Sequence, residues 1–102
     1  MTINIQSIHF TADRKLIGLV NKKLEKIQTY FDHITYTDVY LKLDKSAEGS
    51  NKIVEVKMNL SGNPVFASER SNTFETAVDK VMTKRSGQVK RYKEKLYEHP
   101  VS

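Results

Sequence analysis

The spacing of apolar residues changes period along the chain, and each change is a constraint on the fold. Over residues 2–9, Ile3 and Ile5 alternate with Thr2, Asn4 and Gln6, the period of a strand, although Ile8 breaks the parity. Leu16, Val20, Leu24, Ile27 and Phe31 then recur at steps of three or four, one face of a helix placed at 12–31. Thr11 is the expected N-cap, with Asp13 in the first turn where the helix dipole favours an acid. Alternation returns over 35–44, where Val39, Leu41 and Leu43 oppose Asp38, Tyr40, Lys42 and Asp44. It recurs in Val54, Val56, Met58 and Leu60, and again in a short strand over 65–70. The polar run 46–51 and the turn signal Ser61-Gly62-Asn63-Pro64 separate these strands, which predicts an antiparallel meander. A second helical stripe follows through Phe74, Val78, Val81, Val89, Tyr92 and Leu96. Asn72 with Glu75, or Thr73, caps its start; the helix runs to about residue 97, where Pro100 ends it.

The order β-α-β-β-β-α predicts an α+β fold. The helix between the first two strands calls for a right-handed parallel crossover. Two amphipathic helices and half-polar strands are satisfied by one four-stranded mixed sheet with both helices packed on the same face, the arrangement of double-stranded-RNA-binding domains. The other sheet face is then left to water. The 102 residues are read as a single domain, 1–102.

Composition excludes several functions. The chain has no Cys, hence no disulfide framework, thiolate metal site or Cys nucleophile. No apolar run approaches the roughly 20 residues that span a bilayer, and the N-terminus lacks a signal-peptide pattern, so a cytoplasmic protein without a membrane partner is expected. His9, His33 and His99 are scattered, without ligand spacing. No nucleophile elbow, P-loop or GxGxxG is present, and no carboxylate pair stands out. Asp13, Asp32, Asp38, Asp44 and Asp79 read as ordinary first-turn, turn or strand-face acids. No enzyme, metal, cofactor or small-molecule substrate is expected.

What remains is charge. The formal +5 is uneven: residues 12–31 and 72–102 are each net +3, whereas 32–71 are net −1. At about 100° per residue, Lys80, Lys84, Arg91 and Lys95 fall within about 60° of one another on the second helix, and Lys15, Lys22 and Lys26 within about 40° on the first. Both rows flank the apolar face. Cations at one- and two-turn spacing suit a row of phosphates, each contact releasing counterions. Two solvated helix faces are the plainer alternative. Tyr40, on a polar strand face, offers one ring to stack on a base. Arg85 falls at the angle of the apolar stripe and Gly87 near the centre of the basic one.

The chain resembles the hibernation-promoting factors. Leu24-Glu25-Lys26-Ile27-Gln28-Thr29-Tyr30-Phe31-Asp32-His33-Ile34 is similar to their KLxxYFDRI signature, and Val39-Tyr40-Leu41-Lys42-Leu43-Asp44-Lys45 to their VxLKVEK strand. Ala77-Val78-Asp79, Gln88 and Lys93-Glu94-Lys95-Leu96 look like their last helix. His33 stands for the usual Arg, Gly87 for an Arg and Arg85 for a Leu. The resemblance implies the same β-α-β-β-β-α fold and a stoichiometric ribosome binder. Such proteins occupy the channel of the 30S subunit, in free subunits or 70S ribosomes, where messenger RNA and the A- and P-site transfer RNAs sit. Translation then stops in stress or stationary phase, and the ribosome is preserved. Their helix cations contact 16S ribosomal RNA; carried over, these are Lys23 and Lys26, then Lys84, Arg91, Lys93 and Lys95. With Lys22 and Lys80 from the helical rows, they form the expected RNA-binding set. The length resembles the short form, for which pairing of ribosomes would need a separate dimerisation factor. Two other readings stand beside it: a general double-stranded-RNA-binding module, and a protein-interaction module using the open sheet face.

Overall fold

A computed structural model describes residues 1–30, 34–46 and 48–84. Its strands and first helix are β1 (Thr2–Ile8), α1 (Arg14–Tyr30), β2 (Ile34–Leu43), β3 (Lys52–Leu60) and β4 (Asn63–Ser71). A second helix, α2, follows and is described over residues 74–84. The predicted ends of the two helices, at Phe31 and about residue 97, lie outside the described residues. So do the expected stripe positions Val89, Tyr92 and Leu96, and Pro100.

The four strands form one mixed sheet in the order β1-β2-β3-β4. β1 and β2 are parallel, and their connection is the long crossover, here α1, that parallel neighbours require. β2–β3 and β3–β4 are antiparallel. The β3–β4 hairpin closes on two residues, Ser61 (φ 50°) and Gly62 (φ 88°), with Leu60 facing Asn63. Positive φ at both central positions gives a turn whose twist matches that of the strands. Asn63 and Pro64, read from sequence as turn, therefore begin β4, and Pro64 is tolerated because β4 is an edge strand.

Register shows which face is covered. Ile5, Val39, Val56 and Ala67 form one row across the sheet; Ile3, Thr37, Met58 and Val65 form the next. Against them pack Leu16, Val20, Leu24 and Ile27 from α1, and Ala77, Val78, Val81 and Met82 from α2, in a single buried cluster. Both helices thus lie on one sheet face, as predicted. Ile8 has the opposite parity from Ile3 and Ile5 and pairs with Lys42 on the open face, which accounts for its break in the pattern. Thr37 is fully buried; its hydroxyl donates to the Met1 sulfur at 3.0 Å.

Three local features differ from the sequence expectation. The α1 cap is Asp13 and not Thr11: the Leu16 N–H donates to Asp13 Oδ1 at 2.8 Å, and the Ile17 N–H to the Asp13 carbonyl at 3.1 Å. A residue whose carbonyl opens the helical ladder while its side chain takes the third amide is the N-cap. Of the two candidates for α2, Thr73 is the cap; its hydroxyl accepts the Thr76 N–H at 3.2 Å. Asn72 instead accepts from the Ser50 hydroxyl at 3.3 Å. Finally, β2 carries a register shift between Ile34 and Tyr36, so Ile34 and Thr37 are both buried although three residues apart. A strict period of two forbids that; an extra residue in the strand permits it.

Candidate nucleic-acid interface

The stripe that packs α1 on the sheet leaves its polar side outward, and the sequence loads that side with lysine. Lys15, Lys22 and Lys26 are exposed. Lys22, Lys23 and Lys26 line a shallow concavity with Leu19, Glu25 and Thr29, three cations to one acid. Lys22 and Lys26, one turn apart, make no ion pair among the described residues. Lys23 is different. Taken from the family resemblance and not from the angular row, it has its Nζ 3.1 Å from Asp79 Oδ1 of α2. The lysine therefore spans the two helices.

On α2, Lys80 and Lys84 are exposed and line a second concavity with Glu69, Asp79 and Thr83. Lys84 Nζ is 3.1 Å from Glu69 Oε1 on β4. Lys80 makes no ion pair among the described residues. This lining balances two cations with two acids, whereas α1 carries Arg14, Lys15, Lys22, Lys23 and Lys26 against Glu25 alone. Among the described residues the cationic excess is thus on α1. Arg91, Lys93 and Lys95 of the expected set lie outside the described residues, together with His33, Arg85 and Gly87.

Sequence reasoning missed the two acids. Asp79 was an ordinary acid by pattern, and its lysine is 56 positions away, so nothing local links them. Glu69 carried a usable signal: it shares the parity of Val65 and Ala67, which point to the helix side of β4.

The open sheet face is built otherwise. Lys42 Nζ meets Glu55 Oε1 at 2.8 Å, and Arg70 reaches Asp44 at 3.7 Å. The Asn4 amide donates to Asp38 at 3.2 Å. The Ser46 hydroxyl and N–H donate to Asp44 Oδ1 at 2.7 and 3.1 Å; these bonds, with Arg70 adding its charge, hold the Asp44 carboxyl below the usual carboxylate range. Phe66 stands 57% exposed on this face, and Tyr40 is half-buried between Gln6 and Glu55. His9, with φ 69°, lines a hollow at one corner with Lys42, Asp44 and Lys45. No group of three or more His, Asp or Glu that could hold a metal occurs among the described residues, and no described helix is long and apolar enough to cross a membrane.

Residues 3–97 match the sequence profile of the family described as Sigma 54 modulation protein / S30EA ribosomal protein. The ribosome hibernation promoting factor of Pseudomonas putida is 30% identical over 95 residues, which span 93% of this chain and 89% of the relative. That of Escherichia coli is 27% identical over 99 residues, 97% of this chain and all of the relative. In three dimensions the chain is similar to a ribosomal subunit interface protein from Coxiella burnetii, with TM-score 0.81, 28% identity and coverage of 91% and 98%. It is similar also to the N-terminal domain of Thermus thermophilus Protein Y, with TM-score 0.76, 25% identity and coverage of 90% and 99%.

Proposed function

The chain belongs to the Sigma 54 modulation protein / S30EA ribosomal protein family, and we propose from that membership that it is a ribosome hibernation factor. In this reading residues 1–102 form one ribosome-binding domain that enters the messenger- and transfer-RNA channel of the 30S subunit. Its partner is 16S ribosomal RNA, its place is the cytoplasm, and its action is stoichiometric block rather than catalysis. Pairing of 70S particles falls to a separate dimerisation factor. The family match over residues 3–97 carries the reading. The chemistry that supports it is the exposed pair Lys22 and Lys26 on α1, which form no ion pair among the described residues. Two ammonium groups one turn apart can each replace a condensed counterion on an RNA backbone. Lys23, Lys80 and Lys84 extend that surface; Arg91, Lys93 and Lys95 complete the proposed RNA-binding set.

The test is a sucrose-gradient profile with purified ribosomes. The wild type is expected to co-sediment with small subunits or 70S particles in low salt, to be released in high salt, and to compete with initiator transfer RNA. The variant Lys84→Gln/Arg91→Gln/Lys95→Gln is expected to stay at the top of the gradient. No ribosome binding by the wild type in low salt overturns the reading. Equal affinity for a free RNA duplex favours a general double-stranded-RNA-binding module instead.

A further inference from the structure

We infer that Asp79 and Glu69 are specificity-determining residues of the cationic surface: each holds a lysine in an exposed ion pair that an incoming phosphate must displace. The inference rests on the reading of that surface as an RNA-binding one. Both pairs have the same length, 3.1 Å, and both join different elements: α1 to α2 through Lys23–Asp79, and α2 to β4 through Lys84–Glu69. Their side chains are 30–59% exposed, so neither pair is sealed from a ligand. An ion pair of this kind contributes little to stability and is readily exchanged for another anion.

The consequence follows from where the acids sit. Asp79 and Glu69 line the same concavity as Lys80 and Lys84. A phosphate that enters there meets two cations and two carboxylates, and gains little unless it displaces an acid from its lysine. After displacement the carboxylate is still nearby and repels it. The α1 concavity, with three lysines and Glu25, imposes no such exchange on Lys22 or Lys26. A lone duplex engages α1 and, at the second concavity, finds Lys80 and Lys84 balanced by Asp79 and Glu69. A folded RNA surface that presents phosphates to both helices at once gains enough contacts to complete the exchange. The acids therefore lower affinity for RNA in general more than for the folded partner, a repulsive element of the kind that specificity requires.

The experiment uses the neutral isosteres Asp79→Asn and Glu69→Gln in the full chain, titrated with a short RNA duplex over a range of salt and, separately, with 30S subunits. Each substitution is expected to tighten duplex binding about two- to fivefold at low salt. Each also steepens the salt dependence by about 0.7–0.9 in log–log slope, one added phosphate contact. Affinity for 30S subunits rises by a smaller factor. In Asp79→Asn/Lys23→Gln the added slope disappears, a change that a purely structural clamp does not produce. Unchanged duplex affinity and slope in both variants overturns the inference, as does an equal gain for duplex and subunit, or no duplex binding by any form at low salt. If one variant fails to fold, the other carries the same test. If the wild type binds no ribosomes, the functional reading and the preference for a folded partner both fall, while the duplex titration still decides whether the acids compete for the lysines.

Discussion

On the open face of the sheet, Lys42 meets Glu55 and Arg70 meets Asp44; on α1, Lys22 and Lys26 stand one turn apart and form no ion pair among the described residues. Both surfaces are rich in charge, and both are fixed by the same core. They differ in how that charge is paired. On the sheet, side chains from different strands share one face, and Lys42 and Arg70 each find a carboxylate across it. The outward face of α1 lies away from the sheet; α1 itself supplies one glutamate, and it is Lys23, at the edge toward α2, that reaches an acid of another element. Net charge alone does not locate an anion-binding surface. The unpaired fraction does.

The most severe way to break the comparison is to remove what both surfaces share. Leu24 is fully buried between α1 and the sheet. Leu24→Ala is expected to destabilise the fold by about 2–5 kcal/mol, read from the denaturation midpoint at constant slope. Next, Lys22→Gln/Lys26→Gln is expected to weaken ribosome binding at least tenfold at moderate salt and to flatten the salt slope by about 1.4–1.8, while stability moves by less than about 0.5 kcal/mol. The matching paired cations on the sheet, Lys42→Gln/Arg70→Gln, are expected to leave binding within about twofold. A sheet effect as large as the helix effect would erase the distinction. A smaller change sharpens it from the side of stability. Gly18 is exposed within α1, and an added Cβ meets nothing within 4 Å. Gly18→Ala is expected to stabilise by about 1 kcal/mol, seen as a raised Tm with binding unchanged. The smallest effect is on the sheet side. The Asp44 carboxyl is held below its ordinary range by Ser46 and Arg70, so its contribution to stability is complete above the unfolded value of about 3.9 and fades as pH falls through the lower folded value. Denaturation midpoints measured from neutral pH down through this range should converge for the wild type and Asp44→Asn at the acid end.

How much of this was legible in the sequence depended on range. The element order followed from changes of apolar period, because burial on one face imposes those periods directly. The cap of α1 turned on which residue opens the ladder: Thr11 and Asp13 are both good caps, and the ladder starts at Asp13 for reasons the local pattern does not contain. The bulge in β2 was invisible because Ile34 has the parity of Tyr36, which faces the other way. At the candidate site, the angular positions put Lys22 and Lys26 in one row beside the apolar stripe, and both are exposed. The partners of Lys23 and Lys84 depended on how helices sit over the sheet, a tertiary fact that helical angles do not carry.

Phe10, just before α1, stacks on Phe74, the first residue of α2, with ring centroids 4.5 Å apart and planes 15° from parallel. Lys23–Asp79 joins the same two segments again, further along each helix. A single fastening leaves two rods free to scissor about it; the buried residues that seat both helices on one sheet remove that freedom whether or not the ion pair is closed. The two helices accordingly behave as one ruled surface, and the interval between their lysines is a fixed length against which the spacing of phosphates on a partner is measured.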